Sequence, residues 1–241
     1  MQKTLCFDFG NTRYKCGVMQ DGSFIKEIIL NNDISQIQQL LQQEKPDNAI
    51  LASVVNHDEA IENVIKEYGH FVKVSSECKL NITVPSGQEK TVGADRWAML
   101  SGAIAQFPQK HNLIVGLGTC ITFNFINKFN EFLGGAISPG LYLRLKSLND
   151  YTALLPMVEP NWNFPLIGYD TKTNIQSGVI LGMSKEIDGV IEEYKERYNN
   201  LNVLITGGDL PFFHNHIRSK IISDPYLIYK GLYYISKNNA Q

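Results

Sequence analysis

The opening of this chain is repeated further along it. TLCFDF reads as a strand, GNT as a tight turn and YKCGVM as a returning strand, over Thr4 to Met19, and a third run around Phe24–Leu30 completes a meander. Near position 110 the same order begins again, with NLIV, the glycine turn GLGT, CITFNFI up to Ile126, and a third run at Glu131–Ala136. Aligned, FDFGNT lies over VGLGT, so that Gly10 stands above Gly118 and Asp8 above Gly116. A chain that makes the same meander twice is constrained to two similar lobes, and 241 residues suit two lobes of about 100–120 residues each. The expected division is 1–109 and 110–241, with the lobes facing each other across a cleft and no low-complexity linker between them.

Between the strands the apolar period lengthens. Ile34, Ile37, Leu40 and Leu41 recur at helical spacing over Ile34 to Gln43, with Ser35 near the start and Pro46 beyond the end. NAILASVV reads as a short buried strand, and Glu59 to Tyr68 as a second helix. The order β-β-β-α-β-α belongs to an α/β class with a mixed sheet. In the second half Gly140 to Leu148 and Asn174 to Tyr194 read as helices, and the buried strand NVLIT runs into the turn Gly207-Gly208-Asp209.

Composition removes several classes of function. With 22 Lys plus Arg against 24 Asp plus Glu the net charge is −2, so there is no global field to draw in nucleic acid or anionic lipid. An apolar fraction of 44% against 19% charged residues fills a core and excludes wholesale disorder. No apolar stretch approaches the roughly 20 residues that span a bilayer. Asp8 interrupts the first apolar run, where a secretory signal needs about 7–15 apolar residues. Cys6, Cys16, Cys78 and Cys120 form no C-x-x-C pair, which predicts neither a zinc site nor a disulfide framework. Cys6, Cys16 and Cys120 lie in apolar runs and are expected as reduced, buried packing residues. The expectation is a cytoplasmic protein that engages neither nucleic acid nor membrane.

The residues able to do chemistry cluster at turns. In Asp8-Phe9-Gly10-Asn11-Thr12 a glycine turn between strands leaves backbone N–H groups free to cradle phosphate oxygens; Asn11 and Thr12 add donors and Lys15 a cation. Asp8 ends a buried strand, where a carboxylate is costly unless it meets a cation such as nucleotide-borne magnesium. A plain hairpin would look the same, and no Walker A loop is present. GLGT at Gly116–Thr119 repeats the logic, with a hydroxyl at Thr119. Gly93-Ala94-Asp95-Arg96 heads the apolar helix DRWAMLSGAIAQF. Asp95 there is either a helix cap or a general base, and Arg96 either a surface residue or a clamp on a substrate carboxylate. Thr171 either donates to the same substrate or caps the helix behind it. The Gly207-Gly208-Asp209 turn either passes close to a flat ligand such as adenine or simply reverses the chain. His214 and His216, at i and i+2, share no helix face. Trp97, Trp162 and the Tyr151–Leu155 stretch read as core or interface.

Together, DFGNTRYK, GADR, GLGT, GGAISPG, DTKTNIQSG and ITGGD occur in the order found in type III pantothenate kinases, which this chain resembles over essentially its whole length. The resemblance implies the acetate-kinase/sugar-kinase/Hsp70/actin superfamily, with two ribonuclease-H-like lobes flanking a nucleotide cleft. It implies ATP-dependent phosphorylation of pantothenate, the first step of coenzyme A biosynthesis. By that resemblance Asp8, Phe9, Gly10, Asn11, Thr12, Arg13, Tyr14 and Lys15 hold ATP, with Gly118 and Thr119 as the second contact, and Asp8 meets magnesium carried by ATP. The adenosine side falls to the Gly207-Gly208-Asp209 turn. Gly93, Ala94, Asp95, Arg96 and Thr171 bind pantothenate, and Asp95 acts as base. The family is dimeric, cytoplasmic and dependent on a monovalent cation, potassium or ammonium. This chain departs from it at Gly116, where the family's D-x-G-T carries the cation-binding aspartate, and at Asn124, where an aspartate is common. The family's substrate-contacting tyrosine has no match in NITVPSGQEKTVGADR. Two other readings remain open. One is a catalytically weakened homologue with a regulatory or binding role, which Gly116 favours and the intact GADR opposes. The other is a kinase for another hydroxy acid.

Overall fold

The computed structural model describes residues 2–31 and 33–240. The first sheet follows the meander: β1 (Lys3–Phe9), β2 (Tyr14–Gln20) and β3 (Ser23–Leu30) pair antiparallel in turn. After helix α1 (Ile34–Glu44), strand β4 (Asn48–Ser53) returns beside β1 in parallel; after α2 (Glu59–Lys66), β5 (His70–Lys73) adds in parallel to β4. The order is β3-β2-β1-β4-β5. Alternation along β1 and β2 sends Leu5, Phe7, Phe9, Cys16 and Val18 to one face, where Ile37, Leu41, Ile61 and Ile65 of α1 and α2 cover them. The cap of α1 is Asp33, which accepts from Ser35 N–H at 2.9 Å. The helix closes at Lys45, one residue before Pro46, with φ 47°.

Helix α3 (Ala94–Gln106) also belongs to this unit. Its partner is α8 (Leu227–Asn239), and the two approach at backbone contact: a Cβ on Gly231 would lie 1.8 Å from the Ala98 carbonyl oxygen. Only a residue without a side chain fits between helices this close.

The second sheet repeats the plan. It is formed by β6 (His111–Leu117), β7 (Cys120–Ile126), β8 (Phe132–Pro139), β9 (Leu201–Thr206) and β10 (Ile222–Ser223), in the order β10-β9-β6-β7-β8. As in the first sheet, the third, second, first, fourth and fifth strands lie side by side, and the first pairs in parallel with the fourth and the fourth with the fifth. Its helices are α4 (Leu141–Asp150), α5 (Thr171–Gln176), α6 (Gly182–Arg197) and the short α7 (Leu210–Phe213). A core of Leu113, Val115, Leu117, Phe123, Phe125, Ile187, Ile191, Val203 and Ile205 lies between sheet and helices. The helix expected over Asn174 to Tyr194 starts three residues earlier and passes through a π-helical turn, Ser177–Leu181, between α5 and α6.

Several expectations are corrected. The compact units are Met1–Lys110 with Ile126–Leu133 and Tyr226–Gln241, and His111–Phe125 with Gly134–Pro225, rather than one cut after 109. The Ile126–Leu133 segment is tied to Thr83, whose N–H donates to the Asn130 carbonyl at 3.0 Å and whose carbonyl accepts from Phe132 N–H at 2.8 Å. From Tyr226 on, the chain packs on α3. Cys6 and Cys16 are buried, but Cys120, like Cys78, is half-buried; all four are free thiols. Tyr151 and Leu154 are 89% and 92% exposed and so belong to no core within this chain. Among the described residues no helix is long and apolar enough to cross a membrane.

Candidate active site

Because β1, β4 and β5 run parallel, their carboxyl ends share one edge of the first sheet. Ligands of α/β sheets bind outside that edge. The first hairpin lies there. Its turn is closed by Gly10 N–H donating to the Arg13 carbonyl at 3.1 Å. Its base is pinned by Phe9 and Tyr14, whose rings stack at 4.3 Å, with His57 edge-on to Phe9 at 5.3 Å. Asn11, Thr12 and Arg13 are exposed. Lys15 sits directly across the ladder from Asp8.

Asp8 and Asp95 are brought together in this unit. Burial raises the Asp8 carboxyl to about 7; the Asp95 charge adds to the rise, Lys15 opposes it and Glu27 adds to it. Burial also raises Asp95, against the pull of the Arg96 N–H, the Arg96 guanidinium and its own backbone N–H. Asp95 does not cap α3. The cap position is Gly93, and Asp95 Oδ1 accepts from Arg96 N–H at 2.8 Å within the first turn. The carboxylate is thereby turned back over the helix head. Burial lowers the half-buried Arg96, partly offset by Asp95, and its guanidinium lies 5.2 Å from the centre of the Phe132 ring. Loss of charge is still excluded for a guanidinium at any physiological pH.

Beside this head is a cavity of about 640 Å3, lined by Ser53 and Val54 at the end of β4, by Val74, Ser75, Ser76 and Glu77 after β5, and by Glu89, Lys90, Val92, Gly93 and Ala94. The amino end of α3 faces it, and a helix amino end favours negative charge. Sequence reasoning found Gly93 and Ala94 but none of the other lining residues. The one sequence signal was the buried strand β4, whose carboxyl end at Ser53 lies on the side where parallel strands bind ligands.

The second hairpin and the remaining candidates lie in the other unit. Gly118 N–H donates to the Cys120 carbonyl at 3.1 Å, and the Thr119 carbonyl accepts from the N–H of Gly140, the cap of α4, at 3.0 Å. Gly118 and Thr119 are exposed. Val115 and Leu117 point into the core, which leaves the buried Gly116 on the opposite face of β6. Asn124 is also fully buried and donates through Nδ2 to the Ile114 carbonyl at 3.2 Å, a bond a carboxylate could not make. Thr171 is exposed at the first position of α5; the cap there is Asp170, locked in a reciprocal capping box with Thr173. At the Gly207 turn, Asp209 N–H donates to the Leu117 carbonyl at 3.1 Å, and burial raises the Asp209 carboxyl. His214 bonds Ser223 at 2.8 Å and His216 stacks on Trp162, so the two histidines serve separate contacts.

Comparison with known proteins bears on the chain as a whole. A family model described as type III pantothenate kinase matches residues 4–193. The type III pantothenate kinase of Christiangramia forsetii is 34% identical over 98% of both chains. That of Cytophaga hutchinsonii is 36% identical over 90% of this chain and 91% of its own. Among solved structures, a Baf-family protein from Campylobacter jejuni aligns over 98% of both chains at a TM-score of 0.64 and 23% identity. A glucokinase from an Antarctic psychrotroph aligns over 99% of this chain and 100% of its own at a TM-score of 0.53 and 8% identity, a likeness of fold alone. The chain belongs to the type III pantothenate kinases, which phosphorylate pantothenate in coenzyme A biosynthesis.

Proposed function

We propose that Asp95 is the general base of this pantothenate kinase and that Asp8 is its metal-facing carboxylate. The observation that carries the reading is the meeting of Asp8, Asp95 and Arg96 at one sheet edge, beside a cavity of about 640 Å3 at the head of α3. In the reaction the pantothenate hydroxyl oxygen bonds to the γ-phosphorus, the bond from that phosphorus to the β,γ-bridging oxygen breaks, and ADP leaves. Asp95 accepts the hydroxyl proton. Arg96 holds the pantothenate carboxylate, aided by the dipole at Gly93 and Ala94. Thr171 is a further pantothenate contact. The ATP phosphates are held by the amides and side chains of Asp8, Phe9, Gly10, Asn11, Thr12, Arg13, Tyr14 and Lys15, and by Gly118 and Thr119.

Kinases of this family use ATP with a divalent metal. The residues fit magnesium: Asp8 is a carboxylate whose charge burial disfavours, and a cation would restore it. Among the described residues no three acidic, histidine or cysteine side chains gather to hold a metal unaided, which suits an ion that arrives with nucleotide and keeps water ligands. When bound, magnesium supplies charge neutralisation at the triphosphate. Gly116 offers no side chain to a monovalent cation, so potassium or ammonium is held weakly here. The exposed apolar side chains Ile137, Tyr142, Tyr151, Leu154, Leu166 and Ile167 support a homodimer through the second unit. The enzyme works in the cytoplasm, where its ATP is.

The test is ATP consumption with pantothenate as acceptor, with and without potassium. Pantothenate-dependent ADP formation supports the reading; ADP formation indifferent to pantothenate overturns it.

A further inference from the structure

The hairpin lysine is held by residues outside every motif above. On β2, Lys15 and Gly17 share one face, and Asp8 lies opposite Lys15 on β1. On β3, Ile29 pairs with Lys15 and Glu27 with Gly17, so Glu27 is the diagonal neighbour of Lys15 and within reach of a long side chain. One oxygen of Glu27, Oε2, accepts from Lys15 Nζ at 3.4 Å and from the Tyr229 hydroxyl at 2.8 Å.

Tyr229 comes from α8 and is 1% exposed. Its ring is pressed against β2, where a Cβ on Gly17 would lie 2.5 Å from ring carbons. On its flank the ring of Phe24 stacks at 5.6 Å and 16°. A ring so enclosed has one position, and its hydroxyl one partner. Burial holds the phenol far above its ordinary range, so it remains a donor throughout the working pH. The side chains of Lys15 and Glu27 are 24% and 29% exposed, and their 3.4 Å separation is long for a charge-assisted bond. Such a contact is loose enough to yield the ammonium to a phosphate oxygen.

We propose that Glu27 and Tyr229 are positioning residues that hold the Lys15 ammonium at the phosphate hairpin, beside Asp8, before nucleotide arrives. Lysine has large rotamer freedom, and an ammonium held in advance gives up less of it on binding. The inference rests on the nucleotide role of the Asp8–Lys15 hairpin.

The experiment is calorimetric titration of the full chain with MgATP, which needs no pantothenate turnover. Glu27→Gln and Tyr229→Phe should each weaken MgATP binding about 3- to 10-fold, in the range of one lost positioning contact. Both should leave the KM for pantothenate unchanged. In a Lys15→Ala background neither should have any further effect, which a general loss of structure would not reproduce. Equal weakening in both backgrounds, or wild-type affinity in either variant, overturns the inference while leaving the kinase reading intact. Tighter binding by Glu27→Gln would mean that Glu27 competes with phosphate for the lysine, and overturns it as well. Wild-type protein that binds no MgATP overturns the inference and the nucleotide reading together.

Discussion

Asp8 and Asp95 are carboxyl groups held where burial disfavours their charged forms, and the consequences differ because their neighbours differ. Asp8, at about 7, keeps a proton in the folded chain over the interval from about 4 to 7, where the unfolded chain has released it. Its contribution to stability is therefore greatest at acid pH and is lost as pH rises through 7. Asp8→Asn should melt higher than wild type at pH 8, by an amount of order 1–3 kcal/mol, and the difference should vanish toward pH 4. Thermal scans without nucleotide across that range check it; a variant that melts lower than wild type at pH 8 speaks against it. Asp95→Asn keeps the oxygen that accepts from Arg96 N–H, so the helix head survives while the base is lost. Turnover should fall about 10²- to 10⁴-fold, and a variant retaining more than about a tenth of wild-type kcat would refute the assignment. Arg96→Ala should raise the KM for pantothenate about 10- to 150-fold and that for ATP far less, as expected for charge-assisted bonds of about 1.5–3 kcal/mol. Equal changes in both constants would make Arg96 a support of the fold through Phe132. At this scale the sequence was informative where residue type and position coincide, as in GADR. It left Asp95 open between cap and base because only backbone geometry shows that Gly93 holds the cap position.

At the scale of elements, the motifs sit on pieces that the apolar period made legible, and they depend on one piece that it did not. The meanders, α1 and α2 follow from alternation and from the i, i+3, i+4 pattern. Strand β5, four residues long, and β10, two residues long, are too short to show a period. Helix α8 carried no expectation; its buried face mixes the apolar Leu227, Leu232 and Ile235 with Tyr229, Gly231 and Ser236, which blurs the period. Its partner explains that composition, since small residues are required where Gly231 meets Ala98. Gly231→Val should separate α3 from α8 and destabilise the chain by about 1–3 kcal/mol or more, the usual cost of overpacking. Denaturant unfolding measures this, and a variant as stable as wild type would mean that the helices can move apart freely.

For the molecule as a whole, the duplicated meander was legible because both copies keep their turn glycines, and the matching strand orders bear it out. The assignment of α8 to the first unit was not legible, because no periodicity reports which lobe a helix joins. One asymmetry between the copies has a solution consequence: Asp8 has Gly116 as its counterpart. Activity should respond little to potassium, or saturate only at unusually high concentration. Gly116→Asp should place a carboxylate at a buried position, costly unless a cation joins it. That variant should melt higher with potassium than without, and gain a potassium requirement. Wild-type enzyme inactive without potassium and saturated at low millimolar levels would show that another residue supplies the ligand.

The return of α8 to the first unit also sets an order of events on the ribosome. Translation delivers His111–Phe125 and Gly134–Pro225 in full before Tyr226 is made, so the later-encoded unit is complete first. The unit that carries Asp8 and Asp95 waits for residues after Pro225, with α3 lacking the helix that packs against it. Domains fold as units once their residues have emerged. A chain ending at Pro225 would therefore hold every residue of the second unit and leave the unit that carries Asp8 and Asp95 without the helix that closes it.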